Sequence, residues 1–299
     1  MSPISWVVPC VDRLSIRQFS VTLACLPASM ASSIWPHGAK VAISFTMDNL
    51  GEAQDVNKGQ WPADEPVGQH FSVTSNLPRM LNLLEQHGVR ATFFAEAWSL
   101  SVYPHAVSEL RRGGHEVAWH GFQHEPWAGM SKEDEEDNFR KSFQAAEEAL
   151  VQYDGFRPPG GKVNERTWEL LRRYGARYIS PLGRFGVENG VVVLPFEWEC
   201  VDAFYYMEKF SGIRREHGQH DDVLKPADFK DYLLAKIDDA LQAGGFLSIL
   251  FHPFLQTNEE RFGVLEEVLK RISGDPEIWL APCNEVSAWV LENQDALAA

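Results

Sequence analysis

The chain has 299 residues, 44% of them hydrophobic and 23% charged, and a formal net charge of −15. That length accommodates one large α/β domain, and the composition is that of a soluble globular protein. The excess of acid argues against nucleic acid as a partner, because phosphates collect Lys/Arg patches, and no run reaches the roughly 18 apolar residues of a membrane helix.

Residues 1–35 read apart from the rest. RLSIRQFSVTLACLPASMASS carries two arginines, a short apolar segment and small residues, which is loosely the pattern of an export signal. Pro27 and scattered Ser and Thr interrupt its apolar centre. The expectation is an N-terminal extension, disordered or targeting, on a cytoplasmic protein that is secreted if residues 1–31 act as a signal peptide. The four cysteines, Cys10, Cys25, Cys200 and Cys283, show no CxxC spacing and imply neither a zinc knuckle nor a disulfide framework.

From Trp35 onward strands and helices alternate. KVAISFTM is a β-branched and aromatic run, hence a buried strand. SNLPRMLNLLEQHG has apolar residues at helical spacing and stops at Gly88. RATFFAEA is the next strand, PHAVSELRRGG the next helix, and HEVAWH the third strand. The following helix opens at Ser131 with acids in its first turn, which suits the positive end of the helix dipole. Strand-like ARYIS, VVVLPF, FLSILF and EIWLAP then interleave with three more helical stretches. About seven such repeats predict a distorted (β/α)7 barrel of the TIM-like kind, a single α/β domain over residues 36–299. Two irregular stretches break the rhythm, residues 49–74 and residues 203–227, the latter with His217 and His220.

Chemistry-bearing residues gather at the strand ends. His120 and His124 are spaced i, i+4 in WHGFQHEPW, so on a helical turn both imidazoles would reach one metal. The spacing alone is weak in a chain with 10 histidines; its position after a strand strengthens it. Asp48 ends the first strand, and with the two imidazoles makes an open three-ligand set; its plainer role is to cap the turn of DNLG. GFRPPGG holds Arg157 in a Pro/Gly frame suited to clamping a carboxylate, or forms an ordinary turn. Asp202 lies just beyond a strand in LPFEWECVDAFYY. His252 follows an apolar strand in LSILFHPF, where it either satisfies its nitrogens locally or transfers protons.

Taken in order, H-x-x-x-H, RPPGG (157–161), WECVD (198–202) and an apolar strand ending in His-Pro resemble the polysaccharide deacetylase (NodB-homology) superfamily over residues 36–295, in the branch shared by peptidoglycan deacetylase-like and cyclic-amide hydrolase-like members. The resemblance implies that Asp48, His120 and His124 bind a divalent cation, zinc first with cobalt or a similar ion as alternative. It implies that Arg157 orients the base, that His252 is the general acid and that Asp202 holds His252. The activity implied is metal-dependent hydrolysis of an amide carbon–nitrogen bond, on an N-acetylated amino sugar or a smaller amide. The alternatives are a cyclic imide or ureide hydrolase, and a carbohydrate-binding pseudoenzyme using Trp61, Trp119, Trp127 and Trp198 as stacking faces. The partner is a glycan or small molecule, without nucleic acid or membrane; oligomeric state is left open. One position departs from the pattern: F-D-x-D has become F-T-M-D, with Thr46 where the family has its base. A buried Arg157 without that acid would recruit another, so Glu52, ahead of Asp55, is expected to reach Arg157 or the attacking water. A second register makes Asp48 the base and Asn49 a poorer ligand.

Overall fold

Residues 34–294 are described by the computed structural model, and the extension expected over residues 1–35 lies, up to residue 33, outside the described residues. The first strand, β1 (Val41–Asp48), is buried along its whole length, but its two faces differ. Val41, Ile43, Phe45 and Met47 join the large apolar core, whereas Ala42, Ser44, Thr46 and Asp48 alternate onto the other face. The same parity runs through β2 (Thr92–Ala95) and β3 (Glu116–Trp119), where Thr92, Phe94, Glu116 and Ala118 share that second face. The strand read as simply apolar is therefore apolar outward and small or polar inward.

Six further strands complete the sheet: β4 (Gly155–Phe156), β5 (Tyr178–Ile179), β6 (Gly186–Glu188), β7 (Val191–Val193), β8 (Gly245–Phe251) and β9 (Ile278–Leu280). Their order is β6-β7-β5-β4-β3-β2-β1-β8, parallel except for the β6–β7 hairpin. β2 pairs with the second half of β1 and β9 with the first half, while β8 runs along the opposite edge. Among the described residues, the segment that follows β7 meets β8 at one parallel bridge, from Val201 to Leu250. The result is the distorted α/β barrel that the alternation predicts.

Two strands escaped the sequence reading. β4 has two residues, too few for any period, and Gly155 is there because a Cβ would meet the Tyr178 ring at 2.0 Å. β6 turns into β7 through Asn189 and Gly190, both at positive φ (53° and 79°), the dipeptide that two-residue hairpins favour. The helices follow their signals: Ser131 accepts from the Asp134 amide at 3.1 Å to cap Lys132–Glu148, whose buried Glu135, Asn138, Phe139, Ser142 and Ala146 recur at helical spacing. Residues 203–227, expected to be irregular, contain helix Ser211–Glu216 and most of helix Asp202–Tyr206. Among the described residues no helix is long and apolar enough to cross a membrane, and Cys200 and Cys283 are buried free thiols.

The barrel floor is a polar cluster. Glu116 accepts from Thr92 Oγ1 at 2.8 Å, Tyr178 Oη at 2.9 Å and the Asn284 amide at 2.9 Å, which ties the start of helix Cys283–Glu292 to the strands. Burial pushes the Glu116 carboxyl up from 4.5 to about 7. The folded state thus holds a proton that the unfolded chain has released, so this group's contribution is full below about pH 4.5 and is lost as pH rises to about 7. Relative to Glu116→Gln, the wild-type chain should lose on the order of 2 kcal/mol of stability between pH 5 and pH 8. Urea unfolding at both pH values checks this; a pH-independent difference would show that Glu116 is ionised throughout.

Candidate active site

Arg157 follows β4, its amide bonded to Trp119 O at 2.9 Å, and its side chain enters the barrel fully buried. Nη1 donates to Thr46 Oγ1 at 2.9 Å and to Asp48 Oδ1 at 2.7 Å. Nη2 donates to Ser180 Oγ at 2.9 Å and Ser248 Oγ at 3.0 Å, and Nε to Ser180 Oγ at 3.1 Å. The guanidinium also lies 4.0 Å from the centroid of the Phe94 ring. One side chain therefore touches β1, β2 and β8 and the end of β5. Thr46 accepts from Arg157 and donates to Ile249 O at 3.0 Å, the two-sided bonding that a hydroxyl allows.

This corrects the expectation that Arg157 lacks an acid and that Glu52 supplies one. Asp48 itself is the partner. Glu52 is fully buried elsewhere, where its carboxylate accepts from the Gly68 amide at 2.6 Å and from the Tyr103 hydroxyl. Those contacts pin the 49–70 segment to helix Ala97–Val102 and its C-cap Tyr103. Neither Glu52 nor Asp55 lines the cavity described next.

Asp48, His120, His124, Arg157 and His252 line one cavity of about 190 Å³ at the C-terminal ends of the strands. A larger groove of about 870 Å³ runs between helices Leu77–Gln86 and Pro104–Arg112, but it contains none of these residues, and the convergence of titratable groups selects the smaller one. His120 directly follows β3. Its Nδ1–H donates to Arg157 O at 2.7 Å, and burial pulls its pKa down to about 3, so the ring is neutral. The bare Nε2 then faces Asp48 Oδ2 at 3.7 Å. Two lone-pair atoms facing each other without a proton between them are what a divalent ion, with ligand distances of about 2.0–2.2 Å, would satisfy.

His124 reaches the cavity by a route other than the helical turn expected. Residues 120–126 form a tight non-helical turn with Gly121 at φ 80° and His124 at φ 61°, held by the Glu125 carboxylate accepting from the Phe122 and Gln123 amides at 3.0 Å. The two imidazole centroids still lie 4.8 Å apart. Burial first, and the His120 ring second, keep the His124 pKa well below 6.5. Its Nδ1 contacts Gln54 Nε2 at 2.5 Å, so among the described residues no three acidic, His or Cys side chains form a ready-made cation cage. The donor chemistry of Asp48 and His120 fits such an ion, while His124 lies beside them with its Nδ1 against Gln54.

On another wall, His252 follows β8. Its amide donates to Asp202 Oδ2 at 2.8 Å and its Nδ1–H to Asp202 Oδ1 at 2.6 Å, leaving Nε2 for the cavity. Asp202, fully buried, also accepts from Gln256 Nε2 at 2.8 Å. The Val201–Leu250 bridge sets this pair, because it aligns the residue before Asp202 with the residue two before His252.

One buried acid was missed. Glu96 is fully buried beyond β2, raised to about 7 by burial, and accepts from the Leu50 amide at 2.9 Å and from the Asn49 side chain. It holds the chain reversal after Asp48, where Asn49 sits at φ 69°. Counting by twos from Thr92 through Phe94 would have placed it on the barrel interior. Trp119 and Trp127 are wholly buried and pack on Phe139 and Phe156, so they are core and not stacking faces. Trp198 does line the cavity, and Trp61 lies beside His70 at 5.7 Å.

Residues 64–179 match the family model for polysaccharide deacetylase. That stretch carries His120, His124 and Arg157 and leaves Asp48, Asp202 and His252 outside it. A peptidoglycan deacetylase of Helicobacter pylori is 22% identical over 252 residues, 73% of this chain and 84% of the relative. A solved structure from Mycobacterium smegmatis, assigned to the polysaccharide deacetylases, superposes with a TM-score of 0.74 at 26% identity over 87% of this chain and 93% of that one. Puue allantoinase superposes with a TM-score of 0.69 at 18% identity over 86% and 92%, a likeness of fold.

Removing Arg157 strands a buried carboxylate. Arg157→Met is expected to destabilise the chain by about 3–5 kcal/mol, against about 1 kcal/mol for Thr46→Ala, which deletes one neutral acceptor. Denaturant unfolding of both variants measures this. A loss below 1 kcal/mol for Arg157→Met would mean that Asp48 does not depend on it.

Proposed function

We propose that this chain, which belongs to the polysaccharide deacetylase family, is a metal-dependent N-deacetylase that hydrolyses the amide bond of an N-acetylated amino sugar or a related amide. The observation that carries the reading is the pairing, in one cavity, of a carboxylate-held imidazole with two facing lone-pair atoms, Asp48 Oδ2 and His120 Nε2.

Asp48, His120 and His124 are the residues that would hold the divalent ion, zinc or cobalt. When bound, the ion supplies Lewis-acid polarisation of the acyl oxygen and a lowered pKa for water. The chain's own groups do the rest. Arg157 holds Asp48 by Oδ1, which fixes where Oδ2 points. Pro158 and Gly160 border the cavity. Thr46 has no basic group, Glu52 is held elsewhere and Asp55 does not line the cavity, so His252 handles both proton steps. It takes the proton of the attacking water as the water oxygen bonds to the acyl carbon. It then delivers that proton to the nitrogen as the carbon–nitrogen bond breaks, without which the amine is a poor leaving group. Asp202 keeps Nδ1–H in place, so that Nε2 is always the exchanging nitrogen.

A second reading, hydrolysis of a cyclic imide or ureide, is favoured by the cavity volume of about 190 Å³, which is below the roughly 300–1,000 Å³ of most ligand pockets. It uses the same carbon–nitrogen cleavage on a compact ring and accords with the fold shared with Puue allantoinase.

Acetate release from N-acetylglucosamine oligomers and small N-acetyl amides, set against ring opening of cyclic imides to the amide acid, with zinc or cobalt added, separates the two readings. His252→Ala and Asp202→Asn should lower kcat by ~10²–10⁴-fold. Glu52→Gln, in its folded fraction, should stay within a few-fold of wild type. Full activity in His252→Ala, or no turnover of any amide with either metal, would overturn the proposal.

A further inference from the structure

Lys209 lines the cavity and has no part in the steps above. It comes from the short turn Glu208–Phe210, and its neighbours Met207 and Phe210 line the cavity with it. Two side chains there carry a fixed positive charge, Arg157 and Lys209. Arg157 is fully engaged by its five hydrogen bonds inside the barrel. Lys209 is not engaged. Among the described residues no carboxylate forms an ion pair with its ammonium, whose recorded neighbour is the Phe210 ring at 5.2 Å.

Its surroundings accentuate the surplus. The side chain meets solvent at the rim, yet the enclosing protein lowers its pKa. Burial is the larger cause, and repulsion by Lys58 outweighs attraction by Asp55. Lys209 is thus an unpaired cation at this cavity in a chain of net charge −15, whose overall field repels anions. The aromatic residues of the cavity wall, Phe196, Trp198 and Phe254, can take a ring or an acyl chain but neutralise nothing.

We infer that the amide substrate carries an anionic oxygen group, a carboxylate or a phosphate, and that Lys209 receives it at the mouth of the cavity. The inference rests on reading this cavity as the amide-hydrolysing site. The ammonium on its flexible stem accepts either anion as a point charge, whereas a forked guanidinium would select a planar one. The aromatic walls hold the uncharged body of the same molecule.

Three probes share one scaffold and differ in charge: N-acetylglucosamine, N-acetylmuramic acid with its carboxylate, and N-acetylglucosamine 6-phosphate. Calorimetric titration of the full chain should find one anionic probe bound about tenfold more tightly than the neutral sugar, the scale of one charge-assisted contact. Whichever anion shows the gain names the source. In Lys209→Gln the ratio should fall to about one while the neutral sugar binds as before, and Lys209→Arg should keep most of the gain. Equal binding of all three probes by the wild-type chain, no binding of either anion, or a preference surviving in Lys209→Gln would overturn the inference. Binding is read without turnover, so failure of the amidase reading would show separately, as absent acetate release.

Discussion

A guanidinium buried at the centre of the barrel is the constraint on which the rest of the site depends. Taking Arg157 out of water costs several kcal/mol unless every donor is met, and here the donors are met from around the barrel. That requirement explains the small polar residues on the interior face, Thr46, Ser180 and Ser248, in strands otherwise rich in Val, Ile and Phe. Each hydroxyl accepts from the guanidinium. It also explains why Asp48 is the acid that remains: its Oδ1 supplies the negative charge, and its Oδ2 is left over for the cavity.

From that centre the site is built outward by strand ends. His120 is oriented through the Arg157 carbonyl, so the residue that fixes Asp48 from the side chain also fixes His120 from the backbone. Asp202 and His252 are set by a different device, the Val201–Leu250 bridge, which carries a loop residue to the end of β8. The two halves of the proposed chemistry thus rest on separate supports, and damage to one need not disorder the other.

Much of this was legible in the sequence because it rests on local pattern. β-α alternation gave the barrel, and a histidine closing an apolar strand marked the edge of the cavity. The Pro/Gly frame of RPPGG suggested a carboxylate clamp, and Arg157 does clamp Asp48. What was not legible depends on distant partners or on backbone conformations that residue types only permit. Glu52 is taken by Tyr103, 51 positions away, and by Gly68, so nearness to Asp48 in sequence misled. His124 adopts a positive φ that no i, i+4 argument anticipates. The parity of Ser44, Thr46 and Asp48 was present in plain sight, but the apolar residues between them made the strand read as uniformly buried. Followed by twos, that parity points to the barrel interior, and in the next strand it would have found Glu96.

The central claim is that Asp48 and the two imidazoles form a cation site that the rest of the cavity serves. Metal content after equilibration with zinc and removal of free ion tests it most directly, in the wild-type chain and in His120→Ala and His124→Ala. The account predicts one zinc per wild-type chain and a loss in both variants, deeper for His120→Ala, whose Nε2 faces Asp48 at 3.7 Å. Undiminished stoichiometry in both variants would contradict it.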